Sequence, residues 1–151
     1  MKFYKLRDVK SPVRGTKESA GLDFFIPDDW NDGNTKLVKP GESLLIPSGI
    51  KANVPKGFAL IAFNKSGIAV KKQLYVGACV VDEDYQGEIH INVSNVSRDT
   101  VTEVSPGDKI MQFLLLPINY ELPIEVNSEE ELWKDKASER GTGGFGSTGT
   151  N

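Results

Sequence analysis

Proline–glycine punctuation constrains this chain more than any other feature. Pro40-Gly41, Pro55-Lys56-Gly57 and Pro106-Gly107 each stand just ahead of a short apolar run, at residues 43–47, 58–63 and 109–116. Proline sets φ at the first corner of a turn and glycine supplies positive φ nearby, so each is predicted to be a tight turn that delivers the chain into a strand. Within residues 88–95, Ile89, Ile91 and Val93 share one face and His90, Asn92 and Ser94 the other, the period of a half-buried strand. Residues 50–54 alternate more weakly. Long helical patterns are absent. Residues 128–140 contain helix formers such as Glu129, Glu130, Glu131, Leu132 and Lys134 but few apolar positions to bury, and residues 65–71 are the other short helix candidate. Strands about 8–12 residues apart with turns between them predict an all-β sandwich, barrel or jelly roll.

Length and charge narrow the function classes. A chain of 151 residues is expected to be one domain, and 38% apolar with 26% charged residues is an ordinary globular composition. A net charge of −3 offers no basic field for a nucleic-acid backbone. The longest apolar stretch, residues 110–118, is interrupted by Gln112 and Pro117 and is too short to span a bilayer. Residues 1–8 lack the apolar core of a signal peptide, and Cys79, the one cysteine, cannot form an internal disulfide. The expectation is a cytoplasmic protein without a redox role, a membrane partner or a nucleic-acid partner. With one histidine and one cysteine, zinc-type ligand spacing is absent.

Several polar groups stand out against the apolar runs. Gly77 to Gly87 reads as two apolar-flanked strands meeting at an acidic turn with Asp82, Glu83 and Asp84. Alone, such a cluster is a solvated turn. Asp82 follows directly on Val80 and Val81, however, so its carboxylate is expected at a strand edge, partly desolvated, where it can act as a general base. Tyr85 beside it offers a flat face for a sugar or base, or simple packing. Lys65-Ser66-Gly67 follows a strand and suits an anion at a helix start, or an ordinary N-cap serine. Asp23 follows Ala20-Gly21-Leu22, and a lone aspartate says little. Gln112 is an unexpected polar residue in an apolar run, read most plainly as a solvent-facing edge position. Residues 28–36 are polar and read as a surface loop. In residues 141–151 five of eleven residues are glycine and Phe145 is the only apolar side chain, a composition that builds no core and is expected to be mobile alone. An aromatic among glycines and hydroxyls, downstream of Arg140, also suits folding over a ligand.

In order along residues 20–149, these segments resemble the five motifs of the trimeric dUTPases. Ala20-Gly21-Leu22-Asp23 is similar to the first and Lys65-Ser66-Gly67-Ile68-Ala69 to the second. Gly77 to Gly87 is similar to the third, Gly107-Asp108-Lys109-Ile110-Met111-Gln112 to the fourth, and Arg140 to Gly149 to the fifth. The resemblance implies a distorted jelly-roll subunit of a homotrimer, with a core over residues 1–140, an arm over residues 141–151 and sites shared at subunit interfaces. It implies hydrolysis of dUTP to dUMP and pyrophosphate with Mg²⁺, which keeps dUTP low and supplies dUMP.

Residue by residue, the resemblance makes Asp82 the base that activates water for attack on the α-phosphorus. Tyr85 stacks under the deoxyribose, and backbone around Gly77, Cys79 and Val81 reads uracil in a slot too narrow for a 5-methyl group. Lys65, Ser66, Gly67 and Gln112 bind substrate, with Ser66 and Gln112 holding phosphate oxygens from a neighbouring chain. Asp23 acts on Mg²⁺ through water. Arg140, Ser147 and Thr148 clasp the terminal phosphates beside Gly146, and Phe145 covers the uracil. Lys65 stands where the family usually has arginine, and so lacks the two-pronged fork. Cys79 stands where glycine is usual, which costs strain if the position needs positive φ. Two rivals stay open: a dCTP deaminase or a bifunctional deaminase–dUTPase on the same fold, and a binding protein that senses nucleotide or grips a regulator, for which residues 28–36 are the place to look.

Overall fold

In the computed structural model, which describes residues 1–144, all three proline–glycine turns close. Gly41, Gly57 and Gly107 have φ of 78°, 80° and 81°. The amides of Glu42, Phe58 and Asp108 donate to the carbonyls of Lys39, Pro55 and Ser105 at 3.0, 3.1 and 3.1 Å. Glycine at the left-handed corner is what lets each turn reverse so tightly.

The chain divides into two compact units, Met1–Asn119 and Tyr120–Asn151. The first holds eleven strands: β1 (Lys2–Lys5), β2 (Leu22–Asp23), β3 (Lys36–Val38), β4 (Ser43–Pro47), β5 (Ile50–Asn53), β6 (Phe58–Asn64), β7 (Leu74–Val76), β8 (Val80–Val81), β9 (His90–Asn95), β10 (Thr102–Val104) and β11 (Met111–Pro117). A short helix, α1 (Ser66–Lys72), follows β6. Every strand pairing is antiparallel. A four-stranded sheet has the order β2-β11-β6-β8 and a three-stranded sheet the order β4-β9-β7, while β1 pairs β5 and β3 pairs β10. The all-β class read from the punctuation is the class observed.

The apolar runs bury as their periods require. In β9, Ile91 and Val93 are fully buried while His90 is exposed. Phe24 and Phe113 meet at 4.5 Å between ring centroids, tilted by 47°, in a core that also takes Ile46, Leu60 and Leu74. Each such side chain is worth about 1.5–3 kcal/mol on burial. Polar residues are buried too, and Asn95, at 1% exposure, is satisfied. Its Nδ2 donates to the carbonyls of Val38 and Thr100, and its Oδ1 accepts from the Ser97 amide.

Residues 28–36 are not purely a surface loop. Trp30 opens a 3-10 turn, Trp30–Gly33, and packs half-buried against the core, which the polar neighbours conceal in sequence. Among the described residues of the second unit, helix formation is confined to α2 (Glu129–Trp133), capped by Ser128, whose hydroxyl accepts from the Glu131 amide at 3.2 Å. It buries no residue, as the scarcity of apolar positions foretold. Among the described residues, no helix is long and apolar enough to cross a membrane.

Candidate active site

Within the first unit the predicted site residues gather in two groups. The first forms because β11 lies between β2 and β6. Gln112 on β11 sits opposite Asp23 on β2 and Phe63 on β6, and Lys65 and α1 begin where β6 ends. Gln112 therefore occupies the interior of a sheet and not the solvent-facing edge that polarity alone suggested. Its Nε2 donates to the Asn64 carbonyl at 3.0 Å. Gly21 gives it room: a Cβ there would overlap Gln112 Oε1 and lie 2.7 Å from its Cδ.

Asp23 is 5% exposed and ion-paired on both oxygens. Lys65 Nζ donates to Oδ1, and Lys109 Nζ stands 3.2 Å from Oδ2. A nearly buried carboxylate needs such partners, because unpaired it would be strongly penalised. Ser66 is the first residue of α1; the N-cap position belongs to Lys65, which makes no capping side-chain bond. Ser66 and Gly67 are exposed, and they line a pocket of about 460 Å³ with Lys65, Lys71, Lys72 and Gln112. Three ammonium groups, a hydroxyl and a carboxamide around one pocket suit a polyanion.

The second group occupies the connection between β7 and β9. Those two strands pair with each other, Val76 opposite Val93, but β8 within the connection pairs instead with β6, Val81 opposite Leu60. The chain thus crosses from one sheet to the other and back. Gly77 leaves β7, with its amide donating to the Asn92 carbonyl at 3.0 Å, and the Cys79 carbonyl accepts from the Ala62 amide on β6 at 2.7 Å. Cys79 is half-buried and packs on the core; among the described residues positive φ without glycine occurs only at Asn31, Asp32 and Gln73. The strain that cysteine might have imposed in a glycine position is therefore absent. Val81 is buried and anchors the turn that follows.

Asp82 stands just past β8 and is exposed, not partly desolvated: the turn carries it clear of the strand. Its carbonyl accepts from the Tyr85 amide at 3.2 Å, closing the acidic turn. The Tyr85 hydroxyl donates to the Glu88 carbonyl at 2.9 Å, and the ring crosses Gly87, where a Cβ would lie 2.9 Å from Tyr85 Cε2 and overlap its hydroxyl. Glu88 is held in turn, its Oε1 accepting from the Gly49 amide at 2.6 Å and from Arg7 at 3.0 Å. A pocket of about 230 Å³ opens here, lined by Cys79, Val81, Tyr85 and His90 among others. It shares no lining residue with the lysine-rich pocket.

In the second unit, Arg140 is exposed and its Nε donates to the Gly143 carbonyl at 2.7 Å. Phe145, Gly146, Ser147 and Thr148 lie outside the described residues. Two residues escaped the sequence reading. Lys109 lies in the fourth motif, but nothing local marks it as the partner of an aspartate 86 residues earlier. Asn92 looked like one polar residue on a solvent face, and nothing local distinguished it.

Comparison with known proteins fits this arrangement. The dUTPase family model matches residues 7–149. The chain is 34% identical over 152 residues to the deoxyuridine 5'-triphosphate nucleotidohydrolase of Mus musculus, covering 100% of this chain and 86% of that one. It is 36% identical to the protein of that name from Chlamydia muridarum, covering 99% of each. Among solved structures, a mutant dUTPase of Staphylococcus bacteriophage 80alpha with dUpNHpp has the same fold, at TM-score 0.79 and 22% identity over 98% of this chain and 97% of that chain. A mutant dUTPase of phage phi11 of S. aureus, described with a structural Mg(II) ion, matches at TM-score 0.70 and 21% identity over 85% of this chain and 97% of that one. With its motifs in order and a family match along nearly its whole length, the chain belongs to the dUTPase family.

Proposed function

We propose that this chain hydrolyses dUTP to dUMP and pyrophosphate, with Asp82 as the base. The observation that carries the reading is the family match over residues 7–149, within which Asp82 and Tyr85 share one closed turn beside a pocket of nucleoside size. Asp82 accepts a proton from water as the water oxygen bonds to the α-phosphorus. The α-phosphorus bond to the bridging oxygen breaks, and pyrophosphate leaves. Exposure of Asp82 is compatible with this role, because a base must meet water and substrate before the site closes. Tyr85, with its ring lodged over Gly87, offers the deoxyribose a flat, fixed face.

Lys65, Ser66 and Gln112 receive phosphate oxygens. The separation of the two pockets supports a site assembled from two subunits of a homotrimer, each giving one group. Residues 1–140 act as the core and residues 141–151 as an arm, with Arg140, Ser147 and Thr148 on the terminal phosphates and Phe145 over the base.

The residues suit a Mg²⁺ ion that arrives on the triphosphate. Among the described residues no trio of His, Cys, Asp or Glu forms a metal cage. Asp23 already faces two lysines, yet each carboxylate oxygen keeps a lone pair for a water. Asp23 would therefore hold the ion through water. When bound, the ion neutralises phosphate charge as the leaving group departs.

The test is a panel of dUTP, dTTP, dCTP and UTP with Mg²⁺, following pyrophosphate and ammonia. Pyrophosphate from dUTP alone is expected. Ammonia from dCTP would replace the reading with a deaminase, and no turnover of any nucleotide would reject it.

A further inference from the structure

A side chain on β9, outside all five motifs, holds the start of the nucleoside loop. Pairing of β7 with β9 places Gly77 opposite Asn92, and the Gly77 amide donates to the Asn92 carbonyl at 3.0 Å. At the next residue the partner is a side chain: the Ala78 amide donates to Asn92 Oδ1 at 2.7 Å. At Cys79 the chain has already turned to β6, through its bond from Ala62. The other end of the same carboxamide is also tied, since Asn92 Nδ2 donates to the Leu44 carbonyl on β4 at 2.8 Å. One carboxamide thus braces the fork where the chain leaves one sheet for the other. Gly77 completes the brace: a Cβ there would overlap Asn92 Oδ1 and stand 3.0 Å from its Cγ. The pocket lined by Cys79, Val81 and Tyr85 opens at this fork, and Ala78 lines it too.

We propose that Asn92 is the positioning residue for base selection. It sets the stand-off of residues 77–79 from β9, and hence the width of the slot that accepts uracil and rejects a 5-methyl base. The inference rests on the dUTP reading above. A polar residue tied at both ends holds one geometry, whereas an apolar residue of equal size would leave the Ala78 amide to find another partner and the loop to shift.

The experiment is steady-state kinetics of the full chain carrying Asn92→Leu, Asn92→Asp or Gly77→Ala, with dUTP and dTTP as substrates. Leucine keeps the volume and loses both bonds. Its KM for dUTP should rise about tenfold and its preference for dUTP over dTTP fall about tenfold, the worth of one or two net hydrogen bonds, with kcat changed less than about threefold. Asn92→Asp keeps the acceptor for Ala78 and should retain more of the preference. A folded Asn92→Leu protein with unchanged KM and unchanged preference overturns the proposal. Should Asn92→Leu fail to fold, the Gly77→Ala variant decides. Its added Cβ displaces the carboxamide that the Ala78 amide uses, so its preference for dUTP over dTTP should fall about tenfold with kcat changed less than about threefold, and an unchanged preference overturns the proposal. A parent chain that hydrolyses none of these nucleotides rejects the hydrolase reading and this inference with it, whereas an active parent with indifferent Asn92 variants rejects the inference alone.

Discussion

Gly21 and Gln112 contend for one volume. A Cβ on Gly21 would overlap Gln112 Oε1 and lie 2.7 and 2.9 Å from Gln112 Cδ and Cβ. The clash reaches the base of the side chain, so rotating its tip does not relieve it, and Gly21 is buried. Gly21→Ala is therefore expected to cost about 1–3 kcal/mol of stability, as overpacking does. It should also raise KM for dUTP, because Gln112 loses its bond to the Asn64 carbonyl and its place at the lysine-rich pocket. Thermal denaturation and kinetics on the same sample check this; a stable variant with parental KM contradicts it.

Asp82→Asn keeps the backbone turn that the Asp82 carbonyl closes with the Tyr85 amide. The carboxamide cannot accept the proton. Turnover should fall by about 10²–10⁴ while dUTP still binds. Calorimetric binding measured beside pyrophosphate release separates the two effects, and near-parental turnover would remove Asp82 from the mechanism.

Tyr85 allows its ring and its hydroxyl to be tested apart. Tyr85→Phe removes only the bond to the Glu88 carbonyl and should cost about 0.5–1.5 kcal/mol of stability while leaving sugar preference close to the parent's. Tyr85→Ala removes the face itself and should narrow the gap between dUTP and UTP. The ratio of kcat/KM values for the two nucleotides is the measurement. An unchanged ratio in Tyr85→Ala would leave the ring a purely structural part.

Deletion of residues 141–151 removes exposed positions such as Gly141, Thr142 and Gly144, so unliganded thermal stability should barely change while activity collapses. Co-expressing the deletion with Asp82→Asn at equal levels tests whether base and arm come from different chains. In a closed cyclic trimer about a quarter of the sites should then carry both an intact base and an intact arm. Recovery near zero, with mixed trimers confirmed by mass, would place base and arm on one chain.

Sequence preferences act locally. The turns at Gly41, Gly57 and Gly107, the strands they introduce and the helix at Ser66–Lys72 follow from φ/ψ preferences and hydrophobic period, which act within a few residues. Motif order was equally legible, and with it the family. Tertiary structure decided what lies beside what. Gln112 and Asn64 are 48 residues apart and touch only because β11 pairs with β6. Trp30 is drawn to the core from a polar loop, and Asp82 is carried into solvent by its turn. Asn92 shows the reason most plainly. Alternation along β9 set its face, but the partner waiting on that face was a loop from another sheet crossing, and pairing register and burial are properties of the whole chain that no local pattern contains.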